Sequence, residues 1–167
     1  MFCMRTWGLL VIVCGLAGCS SYAPPSDVSS LTPNQLINRM GQPQTRRTLA
    51  DGGVRLEYPT GPYGKQTWFV DFDASGHAIR SEQVLTEKTF NQITPGMTQN
   101  EVRQRLGAPG EVRSLARSRG VVWSYRYENS FCQWFQVEIA LDDTVRSAGY
   151  GEPPECDRPD GMIFVPS

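Results

Sequence analysis

The feature that most constrains this chain is an internal repeat. Residues 31–43, LTPNQLINRMGQP, align with residues 97–109, MTQNEVRQRLGAP, at an offset of 66. At the same offset Trp68-Phe69 aligns with Trp134-Phe135, and residues 79–81 align with residues 145–147. Three coincidences at one shift indicate a tandem duplication. A unit of about 60 residues is marginally stable alone, so we expect the two copies to pack together and share a core.

Each copy begins with the signals of a short helix. A threonine N-cap is followed three residues later by Gln or Glu, which completes a capping box, and a glycine with a proline two residues further on ends the helix. These residues are Thr32, Gln35 and Gly41 in the first copy and Thr98, Glu101 and Gly107 in the second. Another short helix is predicted over Lys88–Ile93.

After each helix the spacing of apolar residues changes from a period of 3.6 residues to a period of 2 residues, and turn residues separate the resulting strand candidates. These are Arg46–Ala50, Val54–Tyr58, Thr67–Phe72 and Ala78–Leu85 in the first copy, and Glu111–Leu115, Val121–Tyr127, Gln133–Leu141 and Thr144–Gly149 in the second. We therefore predict an α+β protein of two units, residues 31–86 and 87–150, each a short helix or helix pair followed by an antiparallel β-meander.

The N-terminus resembles a bacterial lipoprotein signal. Arg5 precedes the uncharged run Trp7–Leu16, and the run ends in Leu16-Ala17-Gly18-Cys19. The resemblance implies cleavage between Gly18 and Cys19, which removes residues 1–18, and acylation of Cys19 by a diacylglycerol and an N-acyl chain such as palmitate. Ser20 after the cysteine implies sorting to the outer membrane. The alternatives are a short membrane anchor, or an ordinary secretory signal that contains a cysteine.

Two segments flank the repeats. Residues 19–30 carry the acylated cysteine and a Ser/Pro-rich stretch that reads as a flexible tether, and residues 151–167 form a Pro-rich tail. Several acyl chains hold a protein on a membrane far more firmly than one chain could. We thus expect the two units to be anchored to the outer membrane, facing the periplasm.

The inventory of reactive residues argues against catalysis. With 16 basic and 17 acidic residues there is no basic excess to favour nucleic acid, and the single histidine, His77, lies in a turn sequence. The carboxylate pairs Asp71/Asp73 and Asp142/Asp143 are placed at strand ends, where turn and solubility roles are expected, and neither has metal-ligand spacing. We predict a non-enzyme without metal or cofactor other than the lipid on Cys19.

Two cysteines remain after the signal is removed and Cys19 is acylated. In an oxidising periplasm Cys132 and Cys156 are expected to form a disulfide that ties the tail to the second unit. The alternative is a pair of buried, unbonded thiols.

The second copy resembles the SmpA/OmlA (BamE-like) family of outer-membrane lipoproteins. The residues that carry the resemblance are Gly96-Met97-Thr98, Val102, Leu106-Gly107-Ala108-Pro109 and Trp123-Ser124-Tyr125. It extends over residues 88–149 and more loosely over 29–86, where Ser30 stands in place of the glycine. Membership implies a periplasm-facing protein that binds envelope proteins, including the β-barrel assembly machinery. Two tandem copies also resemble the repeated units of β-lactamase inhibitory protein-like folds.

Aromatic residues on the second meander allow two interpretations. Trp123, Tyr125 and Tyr127 alternate along one strand, so they are predicted either to form the core face under the helix or to belong to a binding surface. The candidate partner-binding residues of the open face are Arg126, Gln133, Trp134 and Gln136.

Two classes of function follow. The first is a lipid-anchored, non-catalytic protein-binding module that acts in outer-membrane β-barrel assembly or in envelope integrity. The second is a lipid-anchored inhibitor or binding module similar to β-lactamase inhibitory protein.

Overall fold

A computed structural model of the chain describes residues 23–61, 63–116, 119–154 and 156. The predicted signal, Cys19 and residues 157–167 lie outside the described residues. The elements, in chain order, are α1 (Pro33–Met40), β1 (Thr45–Thr48), β2 (Val54–Pro59), β3 (Thr67–Phe72), β4 (Ala78–Gln83), α2 (Glu87–Phe90), α3 (Gln99–Leu106), β5 (Glu111–Leu115), β6 (Gly120–Tyr125), β7 (Trp134–Ala140) and β8 (Val145–Gly151). Within this part of the chain, none of the helices is long and apolar enough to cross a bilayer.

The predicted α+β architecture is confirmed. Strands β1 to β4 form one antiparallel meander and β5 to β8 form a second, each with its strands in chain order. The helix that precedes each meander has the predicted capping box: the Thr32 hydroxyl accepts from the Gln35 N–H, and the Thr98 hydroxyl accepts from the Glu101 N–H. Gly41 and Gly107 end α1 and α3 with φ angles of 87° and 77°, a region that favours glycine.

The correspondence between the two units shifts by one residue after the first strand. Val70 pairs with Ser81, and Val137 pairs with Ala148, which is an offset of 67 rather than 66. Both third strands carry an irregularity at the same place, between Asp71 and Phe72 and between Glu138 and Ile139. The cause is the first hairpin, because the loop that joins the paired residues Ser114 and Val121 is one residue longer than the loop that joins Thr48 and Val54.

This shift corrects one feature of the sequence alignment. Trp68 and Trp134 align at an offset of 66, yet they lie on opposite faces of their sheets, because successive strand residues point to opposite sides. Trp68 packs against the core under α1, whereas Phe135, the residue after Trp134, packs in the core of the second unit.

Each sheet has a core on the face that its helices cover. In the first unit Leu36 of α1 belongs to one core with Leu56, Val70 and Phe72, and Val28 from the chain before α1 is buried in it. The flexible tether predicted over residues 19–30 therefore does not extend to residue 30, because the Val28 side chain packs in this core. In the second unit Val102 and Leu106 of α3 and Phe90 of α2 pack with a larger group on the sheet, namely Trp123, Tyr125, Tyr127, Phe135, Val137, Ile139 and Val145. The second core also contains Phe69, Val84 and Leu85 from the first unit, so the predicted shared core is present.

Phe69 reaches the second core because the first sheet is covered on both faces. Its neighbour Val70 points toward α1, and Phe69 therefore points the other way, toward α3. A β-carbon on Gly107 would stand 3.4 Å from the Phe69 ring and 3.2 Å from the methyl group of Thr67. Gly107 thus serves both the helix end and the close approach of the two units.

A buried ion pair lies on the face of the first sheet that is turned toward α3, which we call its inner face. Arg55 donates to both carboxylate oxygens of Asp71, at 2.7 Å and 2.8 Å, and its guanidinium stacks over the Phe69 ring. The third contact of Arg55 is a 2.8 Å hydrogen bond to the carbonyl oxygen of Gln104 in the last turn of α3. Carbonyls in a last turn lack a partner within the helix and carry partial negative charge, so a guanidinium suits that position.

Glu57 lies on the same face as Arg55 and is also buried. Burial raises the pKa of the Glu57 carboxyl above its ordinary value, and the Arg47 guanidinium, 3.4 Å away, opposes that rise. The inner face therefore carries charged groups that the sheet and α3 together exclude from water.

The Arg55–Asp71 pair gives a stability prediction. Asp71→Asn leaves the Arg55 charge buried without its counterion, and removing one partner of such a pair typically costs about 3–5 kcal/mol. We expect a corresponding fall in the free energy of unfolding, measured by urea denaturation of the purified protein.

The matched control removes both charges. The double variant Arg55→Met with Asp71→Leu should recover most of the stability lost in Asp71→Asn, because no charge is left unpaired. An Asp71→Asn variant as stable as the wild type would contradict the assigned role of the pair.

Candidate partner-binding surface

The second sheet has one face in the core and one face turned away from the helices. Trp123 and Tyr125 are 2% and 1% exposed and pack in the core, as one of the two interpretations predicted. Burial raises the pKa of the Tyr125 hydroxyl, which donates to the carbonyl oxygen of Gly107. By alternation Arg126, Trp134 and Gln136 lie on the outer face, so the structure brings these three candidate residues together.

Arg126 is held between two aromatic rings. Its guanidinium carbon lies 4.0 Å from the centre of the Trp134 ring and 5.1 Å from the centre of the Tyr63 ring. Trp134 is only 5% exposed although it lies on the outer face, whereas Tyr63 is 80% exposed. Tyr63 comes from the loop between β2 and β3, so this stack joins the first unit to the outer face of the second.

Gln136 lies in the middle of the outer face. Its strand neighbours are Ser124 of β6 and Gly149 of β8. A β-carbon on Gly151 would collide with the Gln136 amide, so the side chain lies over a glycine that leaves room for it. The glycines make the β8 side of this face flat.

Gln133 is placed differently from the other candidate residues. Its side-chain amide donates to the hydroxyl of Tyr127, a core residue, at 2.8 Å. The Asn129 amide donates to the carbonyl oxygens of Tyr127 and Gln133, which fixes the loop between β6 and β7. Gln133 is therefore engaged in holding this loop to the core, beside the outer face rather than on it.

Cys132 and Cys156 are brought together at the same end of the sheet. Their Cα atoms are 5.9 Å apart, a separation that a disulfide requires. Pro153, in the segment between β8 and Cys156, is buried and borders a cavity of about 70 Å³ that Lys65, Arg126, Phe131 and Trp134 also line. The geometry suits the predicted disulfide, whose presence in the exported protein stays a prediction.

The carboxylates considered in the sequence take structural positions. Asp71 lies inside β3 and is buried, so the predicted strand-end role is wrong for this residue; the reason is that α3 covers the face on which it lies. Backbone N–H donors of His77 and Ser75 lower the pKa of Asp73, and the hydroxyl and N–H of Thr144 lower the pKa of Asp142. Among the described residues there is no group of three potential metal ligands.

The fold and this surface define an α+β protein of two helix-and-meander units, whose second sheet presents an outer face edged by arginine and aromatic residues. Residues 82–130 match the family model described as the outer membrane protein assembly factor BamE domain. The matched segment begins at the end of β4 and spans α2, α3, β5 and β6, and it confirms the resemblance to the SmpA/OmlA family for residues 88–130. It does not extend into residues 29–81, where the resemblance stays a prediction.

Two further comparisons give no information about the function of this chain. A search of the curated proteins finds no match. The solved structure of a DUF4309 family protein from Bacillus subtilis aligns over 80% of this chain and 86% of its own length, with 12% sequence identity and a TM-score of 0.30. A similarity at that level supports no conclusion about this chain.

Sequence reasoning missed Tyr63 as a member of the surface. It belongs to a Gly/Pro turn of the first unit, and it contacts Arg126 only because the units pack together. The available signal in the sequence was an aromatic residue within the turn sequence Gly61-Pro62-Tyr63-Gly64.

The stacked position of Arg126 yields a prediction about stability. A guanidinium over an aromatic ring contributes about 0.5–2 kcal/mol, and its loss would also uncover Trp134. We expect Arg126→Glu to lower the free energy of unfolding by about that amount and Arg126→Lys to lower it less, as measured by thermal and urea denaturation. Unchanged stability in Arg126→Glu would contradict the stabilising role assigned to the stack.

Proposed function

We propose that this protein is a lipid-anchored lipoprotein of the outer membrane, facing the periplasm, and that it acts as a non-catalytic protein-binding module in the assembly of outer-membrane β-barrel proteins. The match of residues 82–130 to the BamE domain is the observation that supports this most. That family is described as an outer membrane assembly factor, and a role of this kind needs a docking surface rather than a reaction centre.

The N-terminal motif supports the anchor in this proposal. Acylation at Cys19 after cleavage at Gly18 would leave only the residues before Pro24 between the membrane and the first unit, because Pro24 is buried and Val28 packs in the first core. The five residues 19–23, at ~3.1 Å each if extended, would reach roughly 15 Å. The two units would then lie close to the membrane surface, accessible to periplasmic and membrane proteins.

The outer face of the second sheet is the docking surface that we propose. Tyr, Trp and Arg side chains dominate the energetics of protein interfaces, and Tyr63, Arg126 and Trp134 stack at one end of this face. Gln136 supplies an amide group on the same face, and Gln133 holds the neighbouring loop in place. The proposed disulfide between Cys132 and Cys156 would keep Pro153 against the same end of the sheet.

Co-purification tests the proposal. The full-length lipoprotein is extracted with its membrane in mild detergent, and we expect components of the β-barrel assembly machinery to be captured with it. Capture of a single soluble enzyme in their place would support the alternative, an inhibitor similar to β-lactamase inhibitory protein, and would contradict the assembly role.

Two variants sharpen this experiment. Cys19→Ala should remove the protein from the outer-membrane fraction, because it removes the thiol that is acylated. Gln136→Glu adds a charge to the outer face and should reduce capture while the melting temperature stays the same. Gln92→Glu, which adds the same charge just after α2, is the matched control and should capture normally.

A further inference from the structure

Among the described residues the two sheets have four edge strands, and one of these strands lacks charged residues along most of its length. The edge strand β1 carries Arg46 and Arg47, β4 carries Arg80 and Glu82, and β5 carries Glu111 and Arg113. Over residues 147–151, Ser-Ala-Gly-Tyr-Gly, β8 carries none. Charged side chains on an edge strand are a common protection against pairing with another chain, and this edge is without that protection.

The main-chain groups of β8 alternate between β7 and the outside. The Ala140 N–H donates to the carbonyl of Thr144, so the even-numbered residues of β7 bond toward β8. Their partners are Ser147, Gly149 and Gly151. The N–H and C=O groups of Ala148 and Tyr150 therefore point away from the sheet, and among the described residues no backbone hydrogen bond reaches them.

The chain itself shows that this edge accepts a strand. At the start of β8 the Val145 N–H donates to the Met97 carbonyl at 2.7 Å, and the Gly96 N–H donates to the Val145 carbonyl at 2.8 Å. A bridge between Thr98 and Thr144 completes a short stretch of pairing. This added strand stops at Val145, so residues 147–151, about 17 Å of edge, stay uncovered by the described chain.

The surroundings of the edge indicate which strand would fit. Tyr150 is 44% exposed, and its ring contacts the rings of Phe90, Tyr127 and Phe135 at the rim of the second core. On the outer side Gly149 has open space where a side chain would be. An incoming strand could therefore place apolar side chains beside Tyr150 on one face and meet no obstruction beside Gly149 on the other.

We infer that the β8 edge, residues 147–151, captures an extended strand of another polypeptide by β-strand addition. Main-chain groups of Ala148 and Tyr150 make the hydrogen bonds, and the incoming strand is amphipathic, with alternating apolar residues facing Tyr150. The inference rests on the proposed function for its source of such strands, since a β-barrel protein exposes unpaired amphipathic strands before it folds.

Hydrogen exchange with a defined peptide tests the inference. The probe is a labelled peptide of about seven residues, valine and tyrosine alternating with threonine, between pairs of lysines. With the full-length lipoprotein in mild detergent, the peptide should slow amide exchange at Ala148 and Tyr150 by about tenfold or more, while the amide of Gln136 is unaffected. Ala148→Pro removes one outward N–H and should weaken binding about tenfold, whereas Ala148→Ser keeps it and should bind normally.

Several results would overturn the inference. Peptide binding that leaves the Ala148 and Tyr150 amides unprotected, or that survives in a folded Ala148→Pro variant, would place the site elsewhere. Protection without peptide that disappears when residues 157–167 are removed would assign the edge to the chain's own tail. Protection without peptide that grows with protein concentration would assign it to a second copy.

The design separates this inference from the proposed function. If Ala148→Pro fails to fold, as circular dichroism would show, the exchange pattern of the wild type decides alone. Ala148→Pro should still capture the assembly machinery, because the outer face is intact. An Ala148→Pro variant that loses peptide binding but still captures the assembly machinery would support strand addition at the β8 edge. Failure of the wild type to capture the machinery would count against the proposed function only.

Discussion

The structure depends on the way in which Arg55 fills the space between the two units. Its guanidinium neutralises Asp71, stacks on Phe69 and donates to the last turn of α3 through Gln104. A buried charge is tolerated only when it is paired and hydrogen-bonded, and these contacts supply both conditions at once. Because two of the contacts lie in the first sheet and one lies in the second unit, the first sheet cannot keep its inner face if α3 moves away.

The outer face of the second sheet is a consequence of this packing. The α2–α3 layer is held between the sheets, so only one face of the second sheet is available to a partner. The loop of the first unit that carries Tyr63 then reaches Arg126 and covers Trp134. The second unit alone could form the meander, but its surface would lack Tyr63. The second unit contains most of the segment that matches the BamE domain, and the first unit completes the surface around it.

The parts of the fold and of the surface that could be predicted from the sequence are those that local signals determine. The capping boxes, the glycine at each helix end and the strand alternation act within a few residues, and all of them were readable from the sequence. The face occupied by Asp71 could not be predicted, because its burial comes from α3, more than twenty-five residues further along the chain. The candidate residues Arg126 and Gln136 followed from alternation, whereas the bond of Gln133 to Tyr127 depends on a loop shape that no short pattern specifies.

The central claim is that the two units fold as one body through the Arg55 contacts and the shared core. Native-state hydrogen exchange at Val70 and Val137, which lie in the two cores, tests it most directly. The account predicts the same free energy of opening at both amides, and an equal change at both when denaturant is added. Opening of one core at a distinctly lower free energy than the other, with independent responses to denaturant, would contradict it.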